Sequence, residues 1–170
     1  YAPYDGSLWV VTQRGGVAFR RKDRWHSVVF ESLTAGKPRA VLASHDGQVW
    51  VGTDSGLWVI EMSRGAPRRV EGLDERIACL VEGRDRIWVG TWMGGVWSYP
   101  SSRDTQVSGA SGWHKEGLVA YALNALYATA DGAIWAGTED GGARYSGREW
   151  QPLLELQGHR ILTIHQTMDR

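Results

Sequence analysis

A short segment recurs four times along the 170-residue chain and constrains its fold more than any other feature. Its copies read DGSLWVVTQRGG, DGQVWVGTDSGL, RDRIWVGTWMGG and DGAIWAGTEDGG. Each copy has one tryptophan at the same place: Trp9, Trp50, Trp88 and Trp135. The spacings of 41, 38 and 47 residues match the length of one β-propeller blade rather than that of a shorter solenoid coil. The repeat therefore predicts an all-β fold built from four blades.

Each repeat is predicted to form four short strands. The first alternates apolar and polar residues and is expected at 39–44, 77–82 and 123–129. The second carries the repeat tryptophan and is expected at 7–12, 48–53, 86–91 and 133–138. A glycine pair or its remnant then permits the positive backbone dihedral of a tight hairpin into the third strand. The outer strand carries Trp25, Trp113 or Trp150, and it is poorly defined near 67–70 in the second repeat.

The order of strands at the two ends of the chain predicts how the propeller closes. The chain begins with a second strand near Ser7, whereas 161–167 has the alternation of a first strand. We therefore expect residues 1–170 to form one propeller domain, in which the C-terminal strand completes the first blade and leaves no free edge. Two alternatives hide the same edges: an eight-bladed ring made by two chains, or a larger seven-bladed propeller of which this chain is a part.

Composition argues against several classes of function. Nineteen basic and nineteen acidic residues cancel, so no basic face is expected to attract nucleic acid. Cys79 is the only cysteine, which rules out an intrachain disulfide. The sequence contains no run of 18 apolar residues, so we expect no membrane insertion within this chain. The five histidines lack metal-site spacing, so we expect neither a metal nor another cofactor.

The turns between second and third strands supply the candidate site. In a propeller these turns surround one mouth of the central channel, where an aromatic ring can stack on a sugar and polar groups can orient it. Trp92 occupies such a turn, while the other repeats have Gln13, Asp54 and Glu139 there. The predicted ligand-binding residues are Gln13, Arg14, Asp54, Trp92, Met93, Glu139 and Asp140. Residues from the loops between blades that can join them are Arg39, Arg76, Tyr121 and Arg160. A carbohydrate or another small polar ligand suits this set.

No catalytic residue is predicted. Glu139 and Asp140 are adjacent and normally diverge, whereas glycoside hydrolysis needs two carboxyl groups that face each other. Asp54 could supply a partner across the channel, so a glycan-active enzyme remains the weakest of three alternatives. The second alternative is a rigid protein-interaction or assembly propeller, which includes a homodimer, without a small ligand.

The segment LNALYATADGAIWAGTEDGGARY, from Leu123 to Tyr145, resembles the two-component regulator propeller repeat. That resemblance implies a periplasmic or extracellular sensor region of a bacterial hybrid two-component protein, which binds a ligand without catalysis and passes on a signal. Two positions depart from the pattern: Val11 stands where the other repeats have glycine, and Arg84-Asp85 replaces Asp-Gly.

Overall fold

The computed structural model describes residues 6–12, 16–28, 36–61, 67–101, 112–118 and 122–167. These form four antiparallel sheets, one for each repeat and each in chain order. Blade 1 contains β1 (Leu8–Val11), β2 (Val17–Arg21) and β3 (Arg24–Val28). Blade 2 contains β4 (Pro38–Ala43), β5 (Gln48–Thr53), β6 (Gly56–Glu61) and β7 (Pro67–Val70). Blade 3 contains β8 (Ile77–Glu82), β9 (Arg86–Thr91), β10 (Val96–Pro100) and β11 (His114–Lys115). Blade 4 contains β12 (Leu123–Ala128), β13 (Ile134–Thr138), β14 (Gly141–Tyr145) and β15 (Trp150–Leu153).

The repeat threonine and the following glycine build the hairpin between second and third strands. In blade 2 the Thr53 hydroxyl donates to the carbonyl of Gly56 at 2.9 Å and accepts from the Ser55 amide at 3.1 Å. Gly56 has a φ of 125°, a conformation that favours glycine. Thr138 and Gly141 make the same bond in blade 4, also at 2.9 Å. The repeat therefore encodes the turns that place the candidate site.

Consecutive blades pack against each other through their inner strands and bury three apolar clusters. The contacts run in series from β1 to β4, from β4 to β8 and from β8 to β12. One cluster joins blades 1 and 2, the next joins blades 2 and 3, and the third joins blades 3 and 4. The repeat tryptophans Trp9, Trp50 and Trp88 lie within these clusters and are buried. The core of this protein therefore lies at the joints between blades.

A glycine in the second strand permits this close approach. An added Cβ at Gly52 would lie 2.7 Å from Cβ of Ile77, which begins the inner strand of the next blade. At Gly90 it would meet Cβ of Leu123 at 3.4 Å. At Gly137 it would lie 2.6 Å from Cγ2 of Ile161. The second-strand glycines of blades 2, 3 and 4 therefore each accommodate the apolar residue that begins the next segment along the inner side. In blade 4 that residue is Ile161, so 161–167 takes the place of the next inner strand.

The structure corrects the predicted closure of the first blade. Segment 161–167 contains no strand and lies against blade 4, where the Ile161 amide donates to the Thr138 carbonyl at 2.9 Å. Among the described residues β1 pairs with β2 alone, so blade 1 is three-stranded. Segment 161–167 keeps only the packing of an inner strand: Ile161 is held at Gly137 as Ile77 is held at Gly52, but β8 also pairs with β9 of its own blade, whereas 161–167 is not brought alongside β1.

Candidate functional site

The turns after the second strands and the residues that enter the inner strands lie at the same end of the blades. The Asp54 amide donates to the carbonyl of Lys37 at 3.1 Å, and the Trp92 amide donates to that of Arg76 at 2.9 Å. The carbonyl of Trp92 in turn accepts from the Ala122 amide of the next blade at 2.9 Å. We use the name turn mouth for the end of the blades that carries Asp54, Trp92, Met93, Glu139, Asp140 and the three arginines 39, 76 and 160.

Asp54 is the electrostatic centre of the first group at the turn mouth. Its Oδ1 accepts from Arg39 Nε at 2.7 Å and its Oδ2 accepts from Arg39 Nη2 at 3.1 Å. Nε of Arg76 lies 3.4 Å from the same Oδ1. The hydrogen bonds from Arg39, followed by the charges of the two guanidinium groups, hold the pKa of Asp54 below its usual value. Asp54 is therefore an ionised anchor and is poorly suited to donate a proton.

Arg76 connects Asp54 to the exposed aromatic ring of the next blade. Its guanidinium carbon lies 4.4 Å from the centroid of the Trp92 ring, within the range of a cation–π contact. The Trp92 side chain remains 36% exposed and neighbouring Met93 is 68% exposed. The structure thus brings together two predicted site residues, and Arg76 joins them across the joint of blades 2 and 3.

Glu139 belongs to a second group in blade 4. Its Oε2 lies 3.0 Å from Nε of Arg160, and its Oε1 accepts from Asn124 Nδ2 at 3.2 Å. The same Asn124 amide donates to the carbonyl of Ile161 at 3.1 Å, which ties this group to the start of segment 161–167. Asp140 is exposed, and its amide donates to Thr138 Oγ1 at 3.1 Å. Gln13, Arg14 and Tyr121 lie outside the described residues.

Two further cavities were not predicted from the sequence. One, of about 740 Å³, is lined at the opposite ends of the inner strands by Glu82, Tyr127, Thr129 and Gln166, among others. The other, of about 480 Å³, lies between blades 3 and 4 and is lined by Arg86, Glu116 and Tyr145, among others. The residue types at these positions change from repeat to repeat, so the repeat pattern did not indicate either cavity.

The second cavity contains an internally paired polar network. The Ser98 hydroxyl donates to Glu116 Oε1 at 2.5 Å and accepts from Arg86 Nη1 at 3.0 Å. Burial, together with the charge of Glu116, raises the pKa of Tyr145. Arg86, Ser98 and Glu116 belong to blade 3 and satisfy one another rather than presenting free groups to a ligand. The Trp150 indole of blade 4 donates to the Glu116 carbonyl at 2.8 Å and so joins blade 4 to this network.

The described residues contain no group of three or more histidine, cysteine, aspartate or glutamate side chains that could hold a metal ion. No helix in the same part of the chain is both long and apolar enough to cross a membrane.

No family model matches the chain, and no curated protein matches it. Solved structures do. The extracellular domain of the putative one component system BT4673 from B. thetaiotaomicron superimposes with a TM-score of 0.75 at 19% identity, over 95% of this chain and 23% of that one. The extracellular domain of the putative hybrid two component system BT3049 from the same organism gives a TM-score of 0.71 at 19% identity, over 89% of this chain and 22% of that one.

A catalytically inactive virginiamycin B lyase from Staphylococcus aureus, solved with quinupristin, has a TM-score of 0.73 at 13% identity. It covers 96% of this chain and 57% of the lyase. The chain thus spans less than a quarter of the two extracellular domains' chains. At these identities the likeness confirms the predicted β-propeller fold, and the resemblance to the two-component regulator propeller family stays a prediction.

Proposed function

We propose that this chain is the ligand-binding part of an extracytoplasmic sensor propeller and that it acts without catalysis. The observation that carries the proposal is the Asp54–Arg76–Trp92 group, in which an exposed indole and a fixed ion pair share one edge of the turn mouth. An exposed ring beside directional polar groups is the arrangement that proteins use to hold a sugar or another small polar molecule. Gln13, Arg14, Met93, Glu139 and Asp140 complete the proposed site.

The position of Arg76 gives the proposed site a route to a signal. Arg76 precedes β8 of blade 3 and contacts Asp54 in the turn of blade 2. A ligand that hydrogen-bonds Asp54 or stacks on Trp92 competes for Arg76 and so alters a contact between two blades. A change in the equilibrium between two blade arrangements is what an allosteric signal requires.

The solved relatives support the sensor assignment and the location outside the cytoplasm. Two of them are extracellular domains of putative one-component and hybrid two-component systems. We extend that role to this chain because its repeat tryptophans and turn glycines build the same fold, and because its turn mouth carries side chains suited to a ligand.

The test is a binding screen of the 170-residue chain against neutral oligosaccharides, oligosaccharides that contain uronic acid, and small polar metabolites. Calorimetry then measures the affinity of each compound that binds. We expect Trp92→Ala to weaken binding about tenfold, because a stacked ring contributes about 1 kcal/mol beyond the area that it buries. Asp54→Asn is expected to weaken it as well, since the substitution releases both arginines.

Arg148→Ala is the control, because Arg148 is exposed and precedes the outer strand β15, at the end of blade 4 opposite to the turn mouth. Its affinity should equal that of the unchanged chain. Failure of every compound to bind, or equal affinity for the Trp92→Ala chain, would contradict the proposed site.

A rigid protein-interaction propeller is the second candidate. Leu154 is 71% exposed and Leu162 is 62% exposed, and both lie beyond the last strand of blade 4. A contiguous exposed apolar patch marks a protein-interaction surface, and these two leucines are the candidates for one. A glycan-active enzyme remains the weakest candidate, because the two arginines at Asp54 keep that carboxyl ionised, which suits a base or nucleophile but not the acid that glycoside hydrolysis also needs.

A further inference from the structure

The two ends of the blade series carry complementary features. At one end, the edge of β1 that points away from β2 has no strand on it among the described residues. At the other end, segment 161–167 lies on blade 4 and has no strand partner in the same part of the chain. The first end lacks an inner strand, and the second end offers one.

Side-chain packing identifies segment 161–167 as an inner strand. In blade 4, Leu123 and Leu126 of β12 both approach Gly90 of blade 3, so the first and fourth residues of an inner strand face the preceding blade. Ile161 approaches Gly137 of blade 4 in the same way, and Ile164 stands three residues later. Both isoleucines are half-buried, whereas Leu162 between them is exposed.

Aromatic contacts at the joints provide a second, independent observation. At the joint of blades 2 and 3, Trp50 packs on Tyr99 at 5.9 Å between ring centroids, and Tyr99 packs on Trp113 at 4.9 Å. At the joint of blades 3 and 4, Trp88 packs on Tyr145 at 5.1 Å and on Trp150 at 6.4 Å. The repeat tryptophan thus contacts the outer tryptophan of the next blade directly at the joint of blades 3 and 4, and through Tyr99 at the joint of blades 2 and 3.

Blade 4 has a repeat tryptophan without an outer tryptophan against it, and blade 1 has an outer tryptophan without a repeat tryptophan against it, among the described residues. Trp135 is the repeat tryptophan of blade 4; it is only half-buried, and its indole N–H is buried without a hydrogen-bond partner in the described structure. Trp25 is the outer tryptophan of blade 1 and is 55% exposed. Its partner in the sheet is Arg20, at the register position that Tyr145 holds beside Trp150. A blade 1 placed after a blade 4 would therefore set Trp25 and Arg20 against Trp135.

We propose that two copies of this chain form one eight-bladed ring. Segment 161–167 of each copy adds to β1 of the other as its inner strand, and Trp25 of each copy packs on Trp135 of the other. A second copy is the occupant because one chain carries both halves of both contacts, yet segment 161–167 is not paired with β1 of its own chain in the described residues. In two copies both halves meet while segment 161–167 keeps its place on blade 4, and twofold symmetry closes the ring.

The register of the new pairing follows from the other blades. Cys79 opposes Gly90 and Leu80 opposes Val89, after a bulge that follows Ile77. By the same register, Thr163 of one copy opposes Val11 of the other, and Ile164 opposes Val10. Directly opposed residues of an antiparallel pair have Cα atoms about 4.5 to 5.5 Å apart, within the range that a disulfide spans.

The first experiment is a disulfide test of this register. The Val11→Cys, Thr163→Cys chain is oxidised at pH 8 and its mass is measured under denaturing, non-reducing conditions. Burial raises the pKa of Cys79 to about 12, so that its thiol stays protonated and does not compete. We expect a covalent dimer, and much less of it from Val10→Cys, Thr163→Cys, whose cysteines face opposite sides of the sheet. A disulfide within one chain, or no disulfide, overturns the proposal.

The second experiment measures the mass of the chain in solution by light scattering over a range of concentrations. We expect a dimer, and we expect Trp25→Ala to raise its dissociation constant at least about 30-fold, since a tryptophan contact is lost from each of two equal joints. Trp92→Ala is the matched control because it removes an exposed indole from the turn mouth, and its dissociation constant should not change. A monomer at every concentration, or equal dissociation constants for the two variants, contradicts the two-copy ring. Neither result depends on whether a ligand binds.

Discussion

The joint of blades 3 and 4 and the joint of blades 1 and 2 are formed by equivalent strands but are filled by different side chains. In the first, Trp88 is covered by Tyr145 and Trp150, and the Trp150 indole donates to the Glu116 carbonyl at 2.8 Å. In the second, Trp9 packs in a mainly aliphatic cluster that includes Ile60 and Trp58, and it stacks on Phe19 of its own blade at 4.7 Å. The repeat thus sets the backbone geometry of a joint. The side chains that cover the repeat tryptophan in its outer half differ from joint to joint.

The same comparison extends to the inner half of each joint. Ile77 and Leu123 begin inner strands and are fully buried, whereas Ile161 holds the equivalent place at the end of the series and is only half-buried. A side chain at this position therefore gains its full burial from two blades, one on each side. This difference can be tested by substitutions that remove the same kind of group from a complete and an incomplete joint.

The largest effect is expected from Ile77→Ala. The substitution leaves a cavity between blades 2 and 3, and we expect it to lower the free energy of unfolding by about 3 kcal/mol. Ile161→Ala, studied at the same low protein concentration, is the matched control and should cost about 1 kcal/mol, because its side chain is partly exposed. Urea denaturation measures both. Equal losses would show that the two positions are not packed as differently as their exposures indicate.

The outer tryptophans give the next contrast. We expect Trp150→Ala to lower the free energy of unfolding by about 2 kcal/mol, because it removes the contacts with Trp88 and Tyr145 and the bond to Glu116. Trp25→Ala in the dilute chain should stay within about 0.5 kcal/mol of the unchanged protein, as expected for an exposed side chain. Thermal unfolding of both variants checks this. A similar loss in both would mean that Trp25 is already covered within one chain.

Crowding at the second-strand glycine comes third. An added methyl group at Gly90 would meet Sγ of Cys79 and lie 3.4 Å from Cβ of Leu123, so Gly90→Ala should cost about 1.5 kcal/mol. Cys79→Ala removes the crowding atom, and the double variant should recover most of the loss that Gly90→Ala causes. A double-mutant cycle on unfolding free energies measures this coupling. Additive losses would show that backbone movement, not the sulfur, limits the site.

Much of the fold could be predicted from the sequence, because the repeat carries both the strand period and the turn chemistry. The bounds 48–53, 77–82 and 86–91 are confirmed to the residue, and the poorly defined outer strand at 67–70 is present as β7. The prediction for 161–167 failed for a physical reason. Alternation shows that a segment is built like an inner strand, but it does not show whether β1 of the same chain lies close enough to pair with it.

The candidate site was only partly accessible from the sequence. The turn positions of Asp54 and Trp92 follow from the repeat, and the structure places both at one mouth. Their connection through Arg76 depends on side-chain directions across a joint, which no repeat pattern encodes. The network of Arg86, Ser98 and Glu116 was missed altogether, since Glu116 lies in an outer segment that has no counterpart in the other repeats.

The smallest effect is expected at the polar edge of the joint of blades 2 and 3. Because Arg39 holds the pKa of Asp54 below its usual value, Asp54 stabilises the folded chain at pH values above the unfolded-state pKa of about 4. That contribution is lost as the pH falls through the lower, folded-state pKa, where the carboxyl takes up a proton. The pair is partly exposed and screened by solvent, so the whole effect should stay below about 1 kcal/mol.

Asp54→Asn isolates this contribution, because it keeps the size of the side chain and removes its charge. We expect the variant to be slightly less stable than the unchanged chain at pH 7, and we expect the two to converge as the pH falls below about 4. Urea denaturation at a series of pH values, at low and at high salt, measures the difference. A difference that persists at low pH would assign the stabilisation to the shape and hydrogen bonds of the turn; one that disappears there assigns it to the charge of Asp54. The aromatic half of the same joint should not respond to pH in this range, so the two halves can be separated in one protein.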